Sequence, residues 1–135
     1  LFGNPGPGGW AAIIYNNNSG KESKIFGSDL KTTNNRMELL AVIKALEKLP
    51  SNSSLMIHTD SKYVINGMSS WISNWKKKNW LNASKKPVKN KDLWITLDEL
   101  CKKFVIKWNW IKGHSGDKNN DAVDEMARKE AIKLN

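Results

Sequence analysis

Acidic side chains at Glu38, Asp60 and Asp124 sit at positions for which an apolar core has no use. Glu38 falls beside the apolar stripe of a predicted helix, Asp60 follows directly on the apolar run Leu55 to Thr59, and Asp124 lies in the first half of the last helical segment. Each has an ordinary explanation when taken alone. Asp60 could cap the helix that follows it, and Glu38 could answer the positive end of its own helix. Spacing by itself does not bring the acids together. If they meet in one pocket, they form a set of hard oxygen ligands without a nearby Cys, which suits Mg²⁺ or Mn²⁺ rather than zinc. A pair of such ions about 3.5–4 Å apart can activate a water and stabilise a leaving oxygen in phosphodiester hydrolysis. His114 lies in Lys112-Gly113-His114-Ser115-Gly116, a loop after a predicted strand. Its titration near neutrality suits proton transfer or product release; on the residues alone, plain polar surface is the preferred explanation.

The elements that must position these groups follow from periodicity and punctuation. Gly3 to Gly9 is rich in Gly and Pro and predicts a turn, Trp10 to Tyr15 a strand, Asn16 to Gly20 a hairpin-type turn, and Lys24 to Ser28 a short return strand. Thr32, Thr33 and Asn34 offer N-cap chemistry for a helix running to about Leu49, with Leu39, Val42, Ile43, Leu46 and Leu49 on one face. Leu55 to Thr59 predicts a strand, Lys62 to Met68 a short helix, and Trp71 onward a second helix running into Lys76-Lys77-Lys78. Residues 79–90 predict an irregular basic loop. Asp92 to Phe104 predicts a helix with Leu93, Leu97 and Leu100 on one stripe. Val105 to Ile111 alternates as a strand does, Val105, Lys107 and Asn109 against Ile106, Trp108 and Trp110. Lys112 to Lys118 predicts a loop and Asn120 to Leu134 a final helix. No repeat or linker interrupts the chain, so residues 1–135 are expected to form a single mixed α/β domain.

Composition bounds the function. At 39% hydrophobic the chain can build a core and is not disordered. No apolar stretch is long enough for a membrane span, the start lacks the pattern of a signal peptide, and the lone Cys101 fits a reducing cytoplasm. A formal charge of +9 favours a polyanionic partner, since cation–phosphate contacts release condensed counterions. Lys far outnumbers Arg and Asn is abundant, the mark of an AT-rich coding sequence. The placement of the charge therefore weighs more than its total.

Several segments together resemble the signatures of bacterial-type (type 1) ribonuclease H. They are Gly3-Asn4-Pro5-Gly6-Pro7-Gly8-Gly9, Thr32-Thr33-Asn34-Asn35-Arg36-Met37-Glu38, Thr59-Asp60-Ser61-Lys62-Tyr63-Val64, the Trp-Lys segment from Trp71 to Asn90, Lys112-Gly113-His114-Ser115-Gly116 and Asp124-Glu125-Met126-Ala127. They follow the family's order over nearly the whole chain. The resemblance implies a mixed five-stranded sheet flanked by helices. It implies endonucleolytic cleavage of the RNA strand of an RNA–DNA hybrid with Mg²⁺, for which Mn²⁺ can substitute, leaving 5′-phosphate and 3′-hydroxyl ends. By matched position Glu38, Asp60 and Asp124 bind metal, Glu38 lies near the RNA 2′-hydroxyl, and His114 aids proton movement or product departure. Gly3, Asn4, Asn34 and Asn35 match positions that meet the minor groove and its 2′-hydroxyls, and Asn4 and Thr33 match positions that grip a DNA-strand phosphate. Lys62 stands where many relatives carry Gln, which exchanges an amide contact for a phosphate contact. Trp71, Trp75, Lys76, Lys77, Lys78, Lys85, Lys86 and Lys89 match a basic protrusion that binds the DNA strand, although Trp71 and Trp75, four apart, also suit a core-facing helix side. A cytoplasmic monomer is expected.

One departure stands out. The family carries Asp-Gly-Ser at the end of a first, central strand, and that Asp would fall three residues before Leu1. A polypeptide starting at Leu1 is therefore expected to be a fragment that lacks the central strand and cuts nothing. Other readings are a non-catalytic module that binds hybrid or other nucleic acid, an integrase-like or resolvase-like nuclease, and a basic structural protein. The Trp-Lys segment and the Gly-His loop favour ribonuclease H over the second, and the ordered acids weigh against the last.

Overall fold

The computed structural model describes residues 6–15 and 19–111. Strand β1 (Gly6–Tyr15) pairs antiparallel with β2 (Glu22–Thr32). Helix α1 (Asn34–Glu47) leads to β3 (Ser54–Thr59). Next comes a continuous helical segment made of α2 (Lys62–Asn66), a π-helical turn (Gly67–Trp71) and α3 (Ile72–Lys77). Helix α4 (Lys91–Cys101) and strand β4 (Val105–Trp110) complete the described chain.

The architecture is the expected mixed α/β one, with a difference in the sheet. The four described strands form two separate pairs, β1–β2 antiparallel and β3–β4 parallel, and among the described residues no ladder joins the pairs. The parallel pair closes on a core built by the helices. Leu39, Ile43 and Leu46 of α1 pack with Val64, Ile72, Trp94 and Leu97, and Leu55, Ile57, Ile106 and Trp108 of the parallel pair close on them. Helix α1 also lies against β1, β2 and α4. Each large side chain taken fully from water contributes about 1.5–3 kcal/mol, so this cluster fastens the parallel pair to the helical layer, while α1 carries the antiparallel pair through its own contacts with β1 and β2.

Three expectations need correcting. Gly6 to Gly9 is not a turn: β1 begins at Gly6, with a register shift between Gly6 and Gly8, because these glycines pair with Ser28, Asp29 and Thr32. For the same reason β2 runs on to Thr32 rather than stopping at Ser28. A polar strand that takes its order from a ladder shows no apolar period. Nor is there a break between two helices before Trp71. The π-helical turn carries the chain through, and Gly67 permits it: a Cβ there would collide with the Trp94 indole, so only hydrogen lets the segment settle on α4. Residues 79–90 form the irregular connection expected of them, held by their own bonds. Leu81 bridges Pro87, Val88 donates to the Trp80 carbonyl at 3.0 Å, and the Asn82 side chain accepts from Ser84 and Lys86 at 2.9 and 3.0 Å. The turn expected over 16–20 lies partly outside the described residues. The Lys112 to Lys118 loop and the Asn120 to Leu134 helix lie wholly outside them, as do residues 3–5 of the first expected turn. Among the described residues no helix is long and apolar enough to cross a membrane.

Candidate active site

Asp60 follows the last residue of β3, and its neighbours are bonded on both sides. The Thr59 hydroxyl accepts the Ser61 amide at 3.1 Å, and Ser61 Oγ accepts the Val64 amide at 3.2 Å, capping α2. The N-cap of α2 is therefore Ser61 and not Asp60. From β4, the Ile111 amide donates to the Thr59 carbonyl at 2.9 Å and the Trp110 indole N–H to the Asp60 carbonyl at 3.1 Å. The backbone that carries this carboxylate is thus set by the parallel pair, at the carboxyl ends of its strands, where open α/β sheets place their chemistry.

Glu38 lies in α1 one residue beyond the first turn, which contains no acid, and it is half-buried. The cap of α1 is Thr33, whose Oγ1 accepts the Arg36 amide at 3.3 Å. A hydrogen-bond chain brings the start of α1 to the same end of the molecule as Asp60. The Arg36 guanidinium donates to Asn90 Oδ1 at 3.2 Å and forks onto the Asp92 carboxylate at 3.0 and 2.8 Å. Asn90 in turn donates to the Tyr63 hydroxyl at 3.0 Å, as does the Trp94 indole at 3.1 Å. Arg36 precedes Glu38 by two residues and Tyr63 follows Asp60 by three, so the elements bearing both acids are anchored through the start of α4. Arg36 holds the Asp92 carboxyl below the usual carboxylate range, chiefly by hydrogen bonding, and Asp92 raises Arg36 in return.

The donor chemistry fits a hard divalent cation, with carboxylate oxygens at both described positions. Among the described residues no group of three or more His, Cys, Asp or Glu side chains forms a metal cluster. Asp124 and His114 lie outside the described residues, as do Gly3 and Asn4. Cys101 takes no part in such chemistry: burial pushes its thiol up to about 12, with a smaller push from Asp98.

The remaining predicted residues divide into two sets. Thr33 is half-buried by its capping role, whereas Asn34 and Asn35 are exposed on the first turn of α1. Lys62 is exposed, with its ammonium 5.0 Å from the Trp110 ring centre. Trp71 and Trp75 do share a side, with ring centres 5.9 Å apart, in an aromatic series that continues to Trp80 and Trp94; Trp75 packs on the core while Trp71 stays exposed. Lys76 is held by Asp98 of α4 at 2.8 Å. Lys77, Lys78, Lys85, Lys86 and Lys89 are exposed along the end of α3 and the ordered 79–90 arm. Trp110 escaped the sequence reading. Its alternation with Lys107 and Asn109 assigns it to the inward side with Ile106 and Trp108, yet it is 42% exposed.

The ribonuclease H family profile, described as RNase H, matches residues 1–132. A ribonuclease H of Mesorhizobium japonicum is 53% identical over 126 residues, 93% of this chain and 70% of that protein. A ribonuclease H of Francisella tularensis subsp. novicida is 52% identical over 132 residues, 98% of this chain and 86% of that protein. A crystal structure of a type 1 RNase H with the type 2 active-site motif superposes with a TM-score of 0.76 at 22% identity, covering 100% of this chain and 76% of its own.

Proposed function

This chain belongs to the ribonuclease H family of enzymes, and from that membership we propose that it hydrolyses the RNA strand of an RNA–DNA hybrid endonucleolytically, leaving 5′-phosphate and 3′-hydroxyl ends. Asp60 carries the proposal most directly: it is an acid at the carboxyl end of β3, on a turn bonded at its own carbonyl and at both neighbours. Glu38, Asp60 and Asp124 would hold divalent ions, Mg²⁺ by preference with Mn²⁺ as substitute. When bound, a pair of such ions supplies an activated water and neutralises charge at the phosphodiester.

The chain's own residues do the rest. The Asp60 turn and the Arg36–Asn90–Tyr63 chain keep the acids in place before substrate arrives, which lowers the cost of assembling like charges. Asn34 and Asn35 offer exposed amides beside Glu38, suited to the minor groove, where the 2′-hydroxyl separates RNA from DNA. His114 moves a proton or helps product leave. Lys77, Lys78, Lys85, Lys86 and Lys89 take the phosphates of the DNA strand, with Trp71 offering an exposed ring beside them. Residues 1–135 act as one domain, a monomer in the cytoplasm.

Hybrid, double-stranded RNA and duplex DNA assayed side by side with Mg²⁺ test the proposal in the full-length protein. Cutting confined to the RNA of the hybrid is expected. Cutting of duplex DNA with the hybrid left intact overturns it, and tight hybrid binding with no cutting reduces the protein to a binding module.

A further inference from the structure

Trp110 is a large apolar side chain left 42% exposed at the end of β4, on the side of the strand whose other members, Ile106 and Trp108, pack inward. Both of its recognition features are engaged on one short segment. Its indole N–H donates to the Asp60 carbonyl at 3.1 Å, and its ring lies 5.0 Å beneath the Lys62 ammonium. Lys62 is the first residue of α2, and a cation in the first turn of a helix is repelled by the exposed amides there. A ring face offsets that repulsion. The ring thus restrains the Lys62 ammonium in position, two residues from Asp60.

We infer that Trp110 is a positioning residue that locks the Asp60–Lys62 segment with one indole: the N–H fixes the backbone of the metal-binding acid, and the ring aims Lys62 at a phosphate of the bound strand. The inference rests on the proposed hybrid-cleaving function and extends it to a residue that touches neither metal nor substrate. Phosphate recognition at Lys62 is then a joint property of two strand ends. Neither Lys62 nor Trp110 supplies it alone.

A double-mutant cycle on binding of a fluorescently labelled RNA–DNA hybrid, with Ca²⁺ replacing Mg²⁺, tests the coupling. Lys62→Met is expected to weaken binding roughly two- to tenfold and to reduce the log–log salt slope by about 0.9, the value of one neutralised phosphate. Trp110→Leu is expected to remove the same increment, and the double variant to lose no more than either single one. Lys62→Arg keeps both charge and ring contact and should retain the slope. Trp110→Phe keeps a ring but no donor. It should hold most of the slope while raising the Mg²⁺ concentration for half-maximal cleavage, and it covers the case in which the leucine variant fails to fold. An unchanged slope in a folded Trp110→Leu protein, or strictly additive losses, overturns the inference.

Hydrogen exchange at the Trp110 indole, read by ¹H–¹⁵N spectra, needs no hybrid. Slow exchange relative to the exposed indole of Trp71 supports the lock, and equal exchange overturns it. If the unaltered protein does not prefer hybrid to duplex DNA, the functional proposal fails while this exchange result still decides the positioning role.

Discussion

The Asp60 turn and the 79–90 arm are both short, polar connections, and both are well ordered, yet they are ordered for opposite ends. Around Asp60 the bonds converge on a residue proposed to bear the chemistry: Thr59, Ser61 and Trp110 together fix its backbone. In the arm the bonds stop at the backbone. Asn82 and the Leu81–Pro87 bridge shape the loop, while Lys85, Lys86 and Lys89 extend from it exposed. A carboxylate that shares a metal must sit at a defined position, because a small displacement is costly in rate. A cation that meets a phosphate through long-range attraction needs only to be present on the correct side.

The largest effect should come from breaking the Asp60 side alone. Asp60→Asn is expected to abolish hybrid cleavage while leaving hybrid affinity within a fewfold of the parent, measured in parallel by product gel and anisotropy. Loss of binding on the same scale as cleavage would erase the distinction between the regions. Next is the pillar common to both. Trp94 is fully buried, donates to Tyr63 on the Asp60 side and stacks near Trp75 on the arm side. Trp94→Ala should lower stability by about 3–5 kcal/mol in denaturant melts, with both functions lost together.

Neutralising Lys77, Lys78, Lys85 and Lys86 to Gln should act on the other region only. Binding should weaken and the salt slope flatten by up to about 0.9 for each phosphate that no longer meets a cation, with the single-turnover rate at saturating enzyme unchanged. An unchanged salt slope would count against the arm as the DNA-strand site. Lys76 belongs with the core in this respect, since Asp98 already holds it; Lys76→Gln should cost stability more than salt dependence.

The smallest effect concerns acid. Asp92 is depressed by Arg36, so its folded value lies below its unfolded one. The pair's stabilisation is therefore present above the unfolded carboxylate range and disappears as pH falls through the folded value. The difference in melting temperature between the parent and Arg36→Met should hold from neutral pH down to about pH 4 and fade below it. It should correspond to no more than about 1 kcal/mol, because Asp92 is largely exposed and screened.

The same contrast explains what was legible from residue order. The stripe of α1 and the runs of β3 and β4 follow local apolar periods, and the described helix and strands lie where those periods place them. Asp60 was visible because it interrupts such a period. What escaped was set by partners far along the chain. Gly6 to Gly9 is a strand because β2 pairs with it, the helix passes Gly67 because Trp94 needs the space, and Trp110 is exposed because Asp60 and Lys62 engage it. Lys76 reads like its neighbours in the Lys run until Asp98 of α4 singles it out.

Paramagnetic broadening by Mn²⁺ addresses the convergence of the acids without requiring turnover. Substoichiometric Mn²⁺ added to ¹⁵N-labelled protein should broaden the amides around Glu38, Asp60 and Asp124 together, and Asp60→Asn should reduce the broadening at all of these positions. Broadening confined to one of them, or unaffected by that substitution, would mean that the carboxylates do not share an ion and would contradict a nuclease site built from these three acids.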